Sequence, residues 1–323
     1  MYIENFNFDD LVLKPIDPLS DKIVVCTILY SEDFKSIISI LNALLDVKEL
    51  SLRSLFITGE AISKIPAHYT VWEYRSRIVK HLCQSNSYKL EDEIEWCNSI
   101  ALNNEKNYQI WHYKEIIIEF AIKMLYNNDP SSYPLLEEYN IVNEMLSNDE
   151  KNYHVWTHKR WMVRCFNLWR DNTELEIIDR LIDEDVRNNS AWSHRYLVLF
   201  GNTQEIKEID QEIDYIFAKI DIAPTNLSSW NYLSGVIEII KKRDEFKLFT
   251  HLEEKFLKYI NDGKGIQNMK LDGNYISIPA LKLLAEFYIA KERKDEAVNI
   301  YEALKVLDEI RVKYWEFKQS TLL

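Results

Sequence analysis

Residues 106–118 read KNYQIWHYKEIII, and residues 151–163 read KNYHVWTHKRWMV. Both place a Trp five residues after the Lys and a second basic residue three residues after the Trp. Three further stretches keep this frame: AHYTVWEYRSRIV (67–79), RNNSAWSHRYLVL (187–199) and TNLSSWNYLSGVI (225–237). Their tryptophans, Trp72, Trp111, Trp156, Trp192 and Trp230, are spaced by 39, 45, 36 and 38 residues. Self-similarity at this period is the mark of a repeat array, in which each unit buries its apolar face against its neighbours.

Each unit resolves into two helices. Ahead of the Trp segments lie EDEIEWCNSIAL (91–102), PLLEEYNIVNEML (134–146) and TELEIIDRLIDEDV (173–186), with apolar residues at three- and four-residue steps. These are the A helices. Thr173 with Glu176 has capping-box spacing. The Trp segment is the B helix, with Asn107, Asn152, Asn188 and Asn226 placed to cap it. The Tyr, the Trp and the basic residue at +3 are expected on one face. The basic residues, Arg75, Lys114, Lys159 and Arg195, are expected to pair with acids of a neighbouring A helix. His158 and His194 are expected to be structural.

Composition agrees with a helical array. The chain has 6 Gly and 7 Pro among 323 residues, where average usage would give roughly 39 together. That disfavours strand-rich folds, which need frequent turns, and leaves no Gly-rich phosphate loop. A net charge of −13 argues against a nucleic-acid surface. Cys26, Cys83, Cys97 and Cys165 have no C-x-x-C spacing and read as buried thiols of a cytoplasmic protein. The acidic N-terminus does not read as a signal peptide, and no apolar run is long enough to predict a membrane span.

The fold predicted is all-α: an α–α superhelix, a crescent-shaped solenoid of helical hairpins. Residues 1–19 are expected to form an extended arm, since Pro15 and Pro18 oppose helix, and residues 20–323 one repeat domain. EDFKSIISILNALL and SLRSLFITGEAISKI supply an earlier hairpin. Residues 243–261 and 278–318 supply further helices, the latter a pair joined at KERKDEA, and 262–277 reads as a loop.

The candidate site lies just ahead of the B helices. Lys106, Lys151 and Arg187 stand five residues before their tryptophans. Stacked B helices gather their N-termini on one rim, where the helix dipole and free N–H groups favour anions. Tyr69, Tyr108 and Tyr153 stand at −3. Gln109 and His154 share the −2 slot, and different polar residues in one slot suggest a ligand rim rather than packing.

The Asn-Tyr-x-x-Trp-x-x-basic repeat resembles that of the alpha subunits of protein prenyltransferases, over almost the whole chain. KNYQIWHYK, KNYHVWTHKRW, DVRNNSAWSHRYLV, SSWNYLSG and DEIRVKYW look like the branch shared by protein farnesyltransferase and geranylgeranyltransferase type I. Departures lie on the helix bodies: Glu115, Ser76 and Tyr196 follow their basic residues, and the fifth unit has Leu227 and Leu233.

The resemblance implies a heterodimer with a beta subunit. It would transfer a farnesyl or geranylgeranyl group from its diphosphate to the cysteine of a C-terminal CaaX sequence. Zinc is implied on the beta subunit, and magnesium for the reaction. Lys106 matches the lysine that reaches the diphosphate, and Gln109 the glutamine that binds the peptide carboxylate. Tyr108 matches a cleft tyrosine. Asn152, Tyr153 and His154 match diphosphate-side residues, and Tyr69 one near the peptide groove. A Rab-specific geranylgeranyltransferase alpha subunit and a non-catalytic peptide-binding scaffold are the alternatives.

Overall fold

The computed structural model describes residues 2–3, 6–14, 16, 28–202, 209–242, 251–260 and 276–322. They fall into two compact units, Met1–Leu168 and Trp169–Leu323.

In the first unit, β1 (Tyr2–Ile3) pairs antiparallel with β2 (Phe6–Asn7), placing Tyr2 opposite Asn7 and Ile3 opposite Phe6. Phe8 buries its ring, and Arg53 fixes the segment through the Asn7 carbonyl at 2.7 Å and the Asp10 carboxylate. The arm is therefore a short ribbon where it is described; Pro15 and Pro18 lie outside the described residues. The predicted first hairpin is α1 (Glu32–Val47) and α2 (Leu52–Lys64), capped by Ser31 and Ser51. Then follow α3 (Tyr69–Gln84), α4 (Leu90–Asn103), α5 (Tyr108–Leu125), α6 (Leu135–Asn148) and α7 (Tyr153–Cys165).

The second unit continues the alternation with α8 (Asn172–Glu184), α9 (Asn189–Phe200), α10 (Ile209–Ile222) and α11 (Leu227–Lys242). After α12 (Leu252–Leu257) come α13 (Ile278–Ala290), α14 (Lys294–Leu307) and α15 (Val312–Ser320). The loop expected at 262–277 lies almost wholly outside the described residues, as does most of 243–251. The pair expected over 278–318 is three helices. The chain breaks at Asp308, whose carboxylate accepts from Arg311 Nε at 2.6 Å and Trp315 Nε1 at 2.9 Å. Those bonds turn Trp315 back onto Tyr301, where it is buried.

The asparagine caps form as expected. Asn107 Oδ1 accepts from the Gln109 and Ile110 amides, Asn188 Oδ1 likewise from Ser190 and Ala191, and Asn226 Oδ1 from the Ser228 amide alone. At α8 the expected box of Thr173 and Glu176 does not form. Asp171 caps the helix instead, accepting from the Glu174 amide at 3.0 Å, because the helix starts one residue before Thr173.

All five repeat tryptophans are buried, between 1% and 4% exposed. Each also donates its indole N–H to the carbonyl six residues earlier: Trp72 to Pro66, Trp111 to Glu105, Trp156 to Glu150, Trp192 to Val186 and Trp230 to Pro224. A buried indole needs a partner for its N–H. Meeting that need on the entry loop ties the loop to the B helix.

The basic residues at +3 are buried, and Arg75, Lys114 and Arg195 meet acids of a neighbouring A helix as expected. Arg75 forks onto Glu93 at 2.7 and 2.8 Å, Lys114 reaches Glu138 at 2.8 Å, and Arg195 grips Glu212 at 2.7 Å. Lys159 is buried with its ammonium 5.4 Å from the Tyr139 ring centre. The same glutamates accept from the residue at +2 of their own B helix: Tyr113 on Glu93 and Tyr232 on Glu212, both at 2.6 Å. His158 meets Glu138 at 3.2 Å and His194 meets Glu174 at 2.9 Å, so both histidines are structural. Cys97 is buried as expected, but Cys83 and Cys165 are only half-buried. They sit in the last turns of α3 and α7, where packing thins.

Candidate functional site

Three consecutive tyrosines occupy the first position of a B helix. Tyr69 is 74%, Tyr108 65% and Tyr153 62% exposed, so they do not share the buried face of the Trp and the basic residue. At the first position no preceding turn exists to pack against, and the ring projects past the helix end.

Tyr108 and His154 meet edge to face, with ring centres 4.3 Å apart. Tyr153 lies 5.6 Å from His154 and 6.3 Å from Tyr108. The tyrosine of one repeat thus packs on the −2 residue of the next, making a platform of three rings. Burial of the imidazole lowers the His154 pKa below the ordinary histidine value, favouring the neutral form, which has one N–H donor and one acceptor nitrogen. Tyr69 stands at the equivalent place on α3 but is not among these rings. Gln109, half-buried at the second position of α5, occupies the slot that His154 fills on α7.

Lys106 is 77% exposed, with Nζ 3.5 Å from Asp149 Oδ2 on the next repeat's entry loop. Lys151 is paired with Glu150 at 2.6 Å. Asp149 also accepts from the Lys151 backbone amide through its other oxygen at 3.2 Å, which holds its carboxylate toward Lys106.

Asn152 is almost completely buried. Its oxygen accepts from the His154 and Val155 amides at 2.9 and 3.3 Å, and its Nδ2 donates to the Glu105 carbonyl at 3.3 Å. Asn152 thus positions its neighbours. The caps also modify the sequence expectation of free N–H groups: Asn107 and Asn152 already occupy two amides at each helix start. Cation, hydroxyl and imidazole groups, with the helix dipole, remain to meet an anion.

The buried glutamates that organise the repeats were not singled out by sequence reading. A usable pattern exists: Glu93, Glu138, Glu174 and Glu212 each stand 18 residues before their tryptophan. Among 52 acidic residues, that recurrence shows only once the tryptophans serve as a ruler. Among the described residues no group of three or more His, Cys, Asp or Glu side chains is arranged to hold a metal, and no helix is long and apolar enough to cross a membrane.

Residues 90–121, 135–166 and 171–201 match the protein prenyltransferase alpha subunit repeat. The chain is 38% identical over 318 residues to the Candida albicans protein farnesyltransferase/geranylgeranyltransferase type-1 subunit alpha, covering 98% of this chain and 97% of that one. The subunit of the same description from Dictyostelium discoideum is 30% identical, over 96% of this chain and 91% of its own length. Among solved structures, Candida albicans protein geranylgeranyltransferase-I complexed with GGPP matches with a TM-score of 0.85 and 36% identity, over 99% of this chain and 100% of that one. The α–α superhelical fold follows from that match. Repeat, end-to-end identity and fold agree: this chain belongs to the family of protein farnesyltransferase/geranylgeranyltransferase type I alpha subunits.

Proposed function

We propose that this chain acts as the alpha subunit of a heterodimeric protein farnesyltransferase/geranylgeranyltransferase type I. With a beta subunit it transfers an isoprenoid from its diphosphate to the cysteine of a C-terminal CaaX sequence. The observation that carries this reading is the 38% identity over 98% of the chain. The rim of α5 and α7 supports the roles of individual residues.

In this reading Lys106 approaches the diphosphate. Negative charge grows on the leaving group as the C–O bond breaks, so a cation fixed there stabilises the transition state more than the ground state. The Tyr153 hydroxyl donates to the same oxygens, and neutral His154 offers one further N–H. Tyr108 holds His154 in place. Gln109 hydrogen-bonds the peptide's terminal carboxylate, and Tyr69 borders the peptide groove. Asn152 keeps Tyr153 and His154 in register. Zinc is assigned to the partner chain, where it would bind the thiol and favour its thiolate form. Magnesium is assigned to the diphosphate.

The test is co-expression with a beta subunit, followed by transfer assays with farnesyl and geranylgeranyl diphosphates and a bare CaaX tetrapeptide. Turnover is expected with the tetrapeptide, which also separates this enzyme from a Rab-specific one needing a protein escort. Lys106→Ala should lower kcat by about 10²–10³ with little change in peptide KM. Unchanged turnover would remove the leaving-group role. Failure of any beta subunit to form an active complex would remove the function.

A further inference from the structure

The longest repeat spacing, 45 residues from Trp111 to Trp156, has no place in the function above. Its extra length falls between α5 and α6, in Tyr126–Pro134. There Asn127 and Asn128 adopt positive φ (53° and 62°), and residues 130–132 make one 3-10 turn. Tyr133 is buried, stacked on Phe166 at 5.5 Å and edge-on to Tyr126 at 5.7 Å. The inserted segment is thereby fixed as a wall.

That wall closes one side of a groove of about 600 Å³ within the first unit. Tyr126, Tyr133 and Pro134 line it from the insertion, and Ile94, Ala121, Leu125 and Ile141 form its apolar floor. Leu125, Met124 and Leu136 leave 46%, 44% and 72% of their surface exposed in the same region of chain. Insertions in repeat proteins often build a binding face, and clustered exposed apolar side chains mark interaction surfaces.

The rim is acidic. Glu91, Glu95 and Glu137 line the groove, and among the described residues none of the three carboxylates has a hydrogen-bond or ion-pair partner. Glu73, Glu184 and Glu238, exposed on other helices, each have a basic partner and serve as a charge-matched comparison. Glu91 and Glu137 sit in first turns, where the helix dipole favours an acid. Glu95 lies in the body of α4, beside the apolar floor of the groove. Asn98 also lines the groove, and its side-chain oxygen accepts from the buried Lys114 ammonium.

We propose that this groove docks a basic amphipathic segment of a partner protein. Its apolar side chains would lie on Ile94, Leu125 and Ile141, with Lys or Arg side chains meeting Glu91, Glu95 and Glu137. Charge complementarity selects this occupant: an acidic segment would be repelled, and an uncharged one would leave three carboxylates unanswered. The inference is independent of prenyl transfer and concerns a different part of the repeat, the end of α5 opposite to Tyr108.

The probe is a fluorescent 18-residue peptide of Leu and Lys patterned as an amphipathic helix. Its anisotropy is titrated against the full-length chain at two salt concentrations. Saturable binding is expected. E91Q/E95Q/E137Q should weaken it on the order of tenfold, as three ion pairs at an exposed rim allow. Leu125→Ser should weaken it several-fold without changing the melting temperature by more than a few degrees. E73Q/E184Q/E238Q, which removes equal charge elsewhere, should leave it within twofold. Absent binding, equal loss in the two triple variants, or oligolysine binding as tightly as the patterned peptide would each overturn the proposal.

Discussion

Trp111 and Asn152, from consecutive repeats, donate to the same oxygen. The indole N–H of Trp111 and the side-chain amide of Asn152 both reach the Glu105 carbonyl, at 3.4 and 3.3 Å. In the second unit Trp192 and Asn226 share the Val186 carbonyl in the same way, at 2.9 and 2.6 Å. A carbonyl has two lone pairs, and one loop oxygen can therefore fasten its own B helix and the next. Lys106 follows Glu105 directly, so the joint also fixes the backbone that carries the candidate cation.

Asn152→Ala removes the cap of α7 and the strap to Glu105 together. Loss of the cap costs about 1–2 kcal/mol, and the strap adds about 1 kcal/mol. Asn152→Asp retains the acceptor for His154 and Val155 and loses only the donor, so denaturant unfolding should place it between wild type and the alanine variant. Equal stability of all three would show that the strap and the cap are idle.

Trp111→Phe keeps an aromatic ring in the core and deletes the indole donor. Stability should fall by about 1–3 kcal/mol from the lost bond and the reduced ring. In the heterodimer, kcat should fall while peptide KM holds, because the Lys106 loop loosens.

Asp149→Asn tests the resting partner of Lys106. The amide retains an oxygen for the Lys151 backbone but releases the lysine. An exposed pair of this kind is worth little, so affinity for the isoprenoid diphosphate should rise by up to about fivefold. Weaker binding would mean that Asp149 orients Lys106 rather than competing for it.

The Glu138 carboxyl titrates at about 2, well below its ordinary value of 4.5. Burial pushes it up, and this is outweighed by the Lys114 ammonium and the bond to His158. A depressed carboxyl stabilises the fold above its unfolded pKa and loses that contribution as pH falls. The loss here runs from about pH 4.5 down to about 2 and amounts to the order of 3 kcal/mol. Glu138→Gln should flatten that part of the acid-stability curve measured by urea unfolding.

Lys114→Met leaves Glu138 buried without its main counter-ion. A cost of about 3–5 kcal/mol is expected, and adding Glu138→Gln should recover most of it. The coupling from the double-mutant cycle measures the pair.

The repeat, the helix pairs and the asparagine caps are legible in the amino-acid sequence. Each is written locally: a Trp every 36 to 45 residues, apolar residues at helical steps, an Asn ahead of each later B helix. The sequence also points to the rim ahead of the B helices, with Lys106 at −5, Tyr153 at −3, and Gln109 and His154 as different polar residues in the −2 slot.

Which of the many acids are buried emerges only on folding, since Glu93 and Glu138 meet Arg75 and Lys114 of the preceding repeat. Tertiary packing also sets Tyr108 on His154 and makes the long connection between α5 and α6 the wall of a groove. These depend on distances between side chains of different repeats, which a local pattern does not encode. The physical reason is desolvation: a charge or an indole N–H taken from water must find its partner in space, wherever the chain has folded it.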